Sequence, residues 1–158
     1  MNNQVAPFSL EDIHTFLTGT SIDVPNIVVH LDSLEELQYN LDSIFRGNFS
    51  LILFLPNPVE EVGHFVLLTH LSDKTLEYFD SFAQPPPDSV KELGKRNNLR
   101  IVSNSTILQD AKSNTCAKWC IARMFSLPNS LNHFVELYTN HKTLSPDVLV
   151  NNVFVLKR

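Results

Sequence analysis

Apolar residues along this chain are spaced for helix near the start, for strand in the middle, and for helix again toward the end. Leu10, Ile13 and Leu17 recur at helical intervals behind the capping-box pair Ser9 and Asp12, and the pattern stops at Gly19. A second box, Ser33 with Glu36, opens a stronger helix with Leu34, Leu37, Leu41, Ile44 and Phe45 on one side, closed by Gly47. The apolar stretch 25–31 between them has an extended character. Residues 49–55 form a continuous apolar run bounded by Pro56 and Pro58, which predicts a buried central strand. Residues 63–71 and 75–82 flank Ser72-Asp73-Lys74 and predict a hairpin. Pro85, Pro86 and Pro87 end it stiffly and lead into a helix over 88–97, and 99–102 is a further short strand.

The next transition is the sharpest. Lys112, Ser113, Asn114 and Thr115 are loop and cap residues; the apolar run 121–125 follows them, and Pro128 stops it. That order predicts a helix beginning at about Cys116. Ser130 opens another helix with Leu131, Phe134, Val135 and Tyr138, and Ser145 with Pro146 opens a last one, Pro146 standing at its first position. There are no repeats and no linker. The expected fold is α+β, one domain over 1–158, with a mixed, mostly antiparallel central sheet packed against the helix that begins at Cys116 and flanked by further helices.

With 158 residues the chain can bury a core without disulfides or metals. A formal charge of −5 excludes a general attraction to nucleic acid or acidic membranes. Lys91, Lys95, Arg96 and Arg100 read as a solvated helix face. No apolar run approaches a membrane span, and Met1-Asn2-Asn3-Gln4 lacks a signal-peptide pattern. The two cysteines, Cys116 and Cys120, stand four apart on one helix and cannot converge to bridge, so a reducing compartment is expected.

Cys116 is where candidate chemistry collects. In the first turn of a helix a cysteine meets unpaired backbone N–H groups and the positive end of the helix dipole, which favour thiolate. A cysteine nucleophile also needs a base, an orienter for that base and donors for the oxyanion. His64 begins the first hairpin strand and Asp80 lies near the end of the second. Gln109, seven residues before Cys116, carries a side-chain amide, and the Cys116 backbone N–H is a second donor.

His64 followed by Phe65 in an apolar strand, then Tyr78-Phe79-Asp80-Ser81, then Gln109 and Cys116 entering a helix with Cys120, resembles the adenain-type cysteine proteases. These are maturation proteases of adenoviruses, virophages and large virus-like transposons, in the same clan as the SUMO-deconjugating proteases. The resemblance covers about residues 48–128 by motif. It implies a papain-related fold in which Cys116 is the nucleophile, His64 the general base, Asp80 the orienting acid and Gln109 an oxyanion-hole donor. It further implies cleavage of capsid or other structural precursors beside small residues, often glycine. The setting would be the virion and the cytoplasm or nucleus of an infected cell. The chain departs from the family at Phe65, where tryptophan is usual, at Asp80, where the adenovirus branch has glutamate, and at Ala117, where glycine is usual. Adenovirus proteases are activated by DNA and by a disulfide-joined peptide. The acidity of this chain, and its lack of a cysteine outside the site stretch, argue against either cofactor. A monomer acting on peptide segments is expected, with no membrane partner. The alternatives are an isopeptidase for ubiquitin-like or SUMO-like modifiers and a catalytically silent binding module.

Two expectations compete with this reading. A regular even-length turn pairing Leu71 with Leu76 would put Asp80 on the opposite face from His64, and would set His70 across from Glu77 as an exposed pair. A catalytic pair therefore requires an odd loop, a bulge, or Asp80 just past the strand end. Zinc held by Cys116, Cys120, His133 and His141 is disfavoured, because the His133–His141 spacing exceeds that of a finger and both cysteines lie in an apolar helix. Cys120, Trp119, Met124 and Phe125 are read as core or site wall.

Overall fold

The computed structural model describes residues 26–30, 49–56, 63–71 and 74–153. The two helices expected before residue 48, and most of the hairpin turn, lie outside them. The described strands, β1 (Asn26–His30), β2 (Phe49–Leu55), β3 (His64–Leu71), β4 (Thr75–Phe79) and β5 (Arg100–Ser103), form one sheet in that order. The central pairs β2–β3 and β3–β4 are antiparallel, while β1–β2 and β4–β5 are parallel. The mostly antiparallel sheet expected from the sequence is thus corrected to an evenly mixed one. Helix α1 (Asp88–Arg96) supplies the reason at one side: it carries the chain back between β4 and β5, so the second strand runs alongside the first.

Strand alternation divides the core in two. Leu51, Leu53, Val66, Leu68, Leu76 and Tyr78 pack with Val90 and Leu93 of α1. Ile52, Phe65, Leu67 and Phe79 pack against α2 (Cys116–Ser126), α3 (Leu131–Thr139) and α4 (Pro146–Val153) through Trp119, Cys120, Ile121, Met124, Phe134 and Val150. Each such apolar side chain contributes roughly 1.5–3 kcal/mol on burial. The edges of Trp119, Phe134 and Tyr138 meet in this second layer, with Trp119 and Tyr138 centred 4.8 Å apart. Phe125 departs from expectation: it is 44% exposed, on the outer side of α2.

An ion pair ties α2 to the sheet. Arg123 Nε and Nη2 donate to the two carboxylate oxygens of Glu77 at 2.9 and 2.7 Å, with both side chains only 1% exposed. Arg123 Nη1 donates to Ser126 Oγ and to the Asn129 carbonyl, and its guanidinium lies 5.5 Å from the centre of the Phe134 ring. This overturns the exposed His70–Glu77 pair. In the observed register Glu77 lies across from Thr69, and His70 lies across from Leu76. Glu77 therefore shares the sheet face that α2 covers and meets a cation there.

Candidate active site

The register that decides the geometry is that of β3 and β4. Leu71 pairs with Thr75, so three residues join the strands and each partner pair is of like parity: Leu71 with Thr75, Thr69 with Glu77, Leu67 with Phe79. The expected Leu71–Leu76 pairing is corrected by one residue. With that odd connection His64 and Asp80 fall on the same side rather than opposite sides. β4 also ends at Phe79, three residues earlier than the sequence pattern indicates, so Asp80 stands just past the strand. There it forms a tight turn: Asp80 Oδ1 accepts from the Phe82 N–H at 2.8 Å, and the Asp80 carbonyl accepts from the Ala83 N–H at 2.8 Å. Ala83 takes the left-handed conformation, φ 54°.

His64 Nε2 lies 2.7 Å from Asp80 Oδ1, and the Cys116 thiol is hydrogen-bonded to the same imidazole. With Nε2 committed to the carboxylate, Nδ1 is the nitrogen left to face the sulfur. Burial pulls the imidazole below its ordinary value of 6.5. The Asp80 hydrogen bond, then the Cys116 bond and the charges of both groups, outweigh burial and push it up to about 9. The ring is 22% exposed and lies against Phe82, with centroids 5.0 Å apart. At Gly63, the residue before His64, a Cβ would collide with the Phe54 ring, so only glycine fits there.

Cys116 is the first residue of α2 and is half-buried, whereas Cys120, one turn on, is buried in the core; both are free thiols. Burial pushes the Cys120 thiol well up, which makes it a packing group. Gln109 is buried rather than lying on a surface loop. Its Oε1 accepts from Ser81 Oγ at 2.6 Å and its Nε2 donates to the Ser113 carbonyl at 2.9 Å. A carbonyl can only accept, so the amide orientation is fixed, and the second Nε2 hydrogen stays available for a bound group. The sequence quartet is thus divided. His64 meets both Asp80 and Cys116, while Gln109 is held between Ser81, next to Asp80, and Ser113, three residues before Cys116.

The three residues can do nucleophilic chemistry: a thiol, a base bonded to it, and a buried carboxylate that orients the base. No family model matches this chain. No curated protein matches it either. Among the described residues, no three His, Cys, Asp or Glu side chains are grouped so as to hold a metal ion, and no helix is long and apolar enough to cross a membrane. His133 and His141 are both exposed.

Three supporting residues were not foreseen. Asn104 clamps the Asp80 backbone, accepting from its N–H at 3.0 Å and donating to its carbonyl at 2.6 Å. Ser81 orients Gln109, and Asp147 binds the approach to α2. None has a local sequence signature, because each acts on a residue far along the chain. Ser81→Ala removes the hydroxyl that holds Gln109 Oε1. If Gln109 serves as an oxyanion donor in peptide hydrolysis, the expected effect is a fall in kcat of about tenfold with KM little changed, read by steady-state kinetics. An unchanged kcat would remove Gln109 from the donor set.

Proposed function

We propose that this chain is a cysteine endopeptidase of the adenain type that cleaves viral or virus-like structural precursors during particle maturation. The observation that carries the reading is the His64 imidazole held between the Asp80 carboxylate and the Cys116 thiol. The delivery of Cys116 by the start of α2 to the sheet end that bears His64 supports a papain-related arrangement.

In this reading His64 takes the Cys116 thiol proton, and the sulfur attacks the scissile carbonyl carbon. A C–S bond forms, and the carbonyl π pair moves to oxygen, where the Cys116 N–H and the free Gln109 Nε2 hydrogen receive it. The intermediate collapses with cleavage of the C–N bond, and imidazolium His64 gives its proton to the departing amine. Water, giving a proton to His64, then attacks the thioester carbonyl; the C–S bond breaks, freeing the acid and leaving the Cys116 thiolate beside imidazolium His64. Asp80 keeps the ring aimed throughout. The substrate class is a peptide segment with small residues near the cut, which a chain acting as a monomer binds without a nucleic-acid activator.

The test is co-expression with candidate capsid precursors, comparing wild type with Cys116→Ala. Processing by the wild type alone is expected; identical processing by both would overturn the reading. A second reading, removal of ubiquitin-like modifiers, draws support from Asp80, since the deconjugating relatives carry aspartate at that place. Labelling of Cys116 by glycine-ending modifier probes, without precursor cleavage, would favour it.

A further inference from the structure

Asp80 stands one residue past the end of β4, yet its Oδ1 is held 2.7 Å from His64 Nε2. The parallel β4–β5 ladder ends with Tyr78 across from Ser103. Asn104 is the next residue after β5, and its side-chain amide takes over where the ladder stops. Its Oδ1 accepts from the Asp80 N–H at 3.0 Å, and its Nδ2 donates to the Asp80 carbonyl at 2.6 Å and to the Thr106 carbonyl at 3.3 Å. A carboxamide presents an acceptor and a donor side by side, so it can pair with both backbone groups of one residue and stand in for a strand partner. Both carbonyls only accept, which settles the orientation of the amide.

The other bonds on Asp80 do a different job. Oδ1 accepts from the Phe82 N–H, and the Asp80 carbonyl accepts from the Ala83 N–H, each at 2.8 Å. These donors belong to the same turn and move with it, so they shape the turn without placing it on the sheet. The Leu108 and Gln109 N–H groups reach the Ser81 carbonyl, one residue further on, at 2.9 and 3.1 Å. Asn104 ties Asp80 itself to the end of β5, and because both residues are buried, water competes little for the two bonds. The carboxylate hangs from that backbone by two rotatable bonds. A small shift at its root would carry Oδ1 out of hydrogen-bond range of the imidazole.

We infer that Asn104 is a positioning residue whose paired bonds to the Asp80 backbone aim the carboxylate at His64. Its consequence for catalysis rests on the protease reading, whereas its consequence for the imidazole can be measured without any substrate. Two titratable groups act on the His64 ring: Asp80, at the end of β4, and Cys116, at the start of α2. Both raise its proton affinity, and burial opposes them. Without the clamp the Asp80 contribution weakens while burial remains, so the imidazole must give up its proton at lower pH. Asn104 acts through Asp80.

The test is an NMR titration of the His64 imidazole in Cys116→Ala, where the thiol no longer contributes. In that background Asn104→Ala is expected to lower the His64 midpoint by about one unit, in the same direction as Asp80→Asn and by less. With Cys116 in place, Asn104→Ala is expected to lower kcat for peptide hydrolysis about tenfold, with KM within about twofold. A merely structural Asn104 would lower stability and leave the midpoint of the folded protein where it was. That result overturns the inference, whatever happens to kcat. If Asn104→Ala does not fold, Asn104→Ser decides, since it offers one hydroxyl in place of the two-pronged amide: a lowered midpoint supports the inference and an unmoved one overturns it. A midpoint that falls as expected, in a protein whose wild type cleaves no precursor, leaves this inference standing and the protease reading without support.

Discussion

Arg123→Met is expected to lower the unfolding free energy by about 3–5 kcal/mol, the cost of removing one partner of a buried ion pair. The Glu77 carboxylate, 1% exposed, would be left in an apolar layer without its two charge-assisted bonds. The Asn129 carbonyl and the Phe134 face would lose their cation as well. Urea denaturation measures this as a lower midpoint at an unchanged slope. The companion variant, Glu77→Leu with Arg123→Met, replaces the whole pair with apolar volume and is expected to recover most of the loss. If the single variant loses less than about 1 kcal/mol, the pair is solvated and the account of how α2 is fixed to β4 fails. Glu77 lies three residues before Asp80 and Arg123 seven after Cys116, so this strut also sets the distance between two candidate catalytic groups.

The second large effect concerns His64. For the proposed reaction, His64→Ala is expected to lower kcat/KM roughly 10²- to 10⁴-fold, since it removes the base beside the thiol. In the proposed reaction the charged imidazole is the acid for the departing amine, so activity should fall as pH rises through about 9. In Asp80→Asn the strongest influence raising the imidazole is gone while burial still lowers it. The descending limb should then move to lower pH by roughly one to three units. A limb that stays in place would detach Asp80 from the base. Stability follows the same linkage. The folded value lies above the unfolded one, so the His64 contribution is fully present below 6.5 and is lost as pH rises toward 9. Asp80→Asn should flatten that dependence, measurable as urea midpoints at about pH 6 and about pH 10.

The groups of this site were readable from residue type and order, because a helix start at Cys116 and a histidine at a strand start are local patterns. Their convergence was not. It depends on a connection of three residues and on a strand that ends at Phe79, and the apolar alternation through Phe82 carries no mark of that early end. Strand direction at the sheet edges was missed although helix α1 between β4 and β5 signals a parallel crossover. Glu77 and Arg123 also left a trace: each is a lone charge in an apolar run, of opposite sign to the other. The regular hairpin register drew Glu77 toward His70 instead, although its partner lies 46 residues away. Asn104 and Asp147 left none, since an asparagine in a loop and an acid in the first turn of a helix are commonplace until their distant partners are known.

The placement of the two cysteines makes the chain its own folding gauge. Cys116 is accessible in the native protein, whereas Cys120 is 1% exposed inside the layer that α2 shares with the sheet. A thiol reagent therefore counts one reactive sulfur while the core is closed and two once it opens. In Cys116→Ala the first signal disappears, and the rate at which Cys120 is modified reports core opening alone.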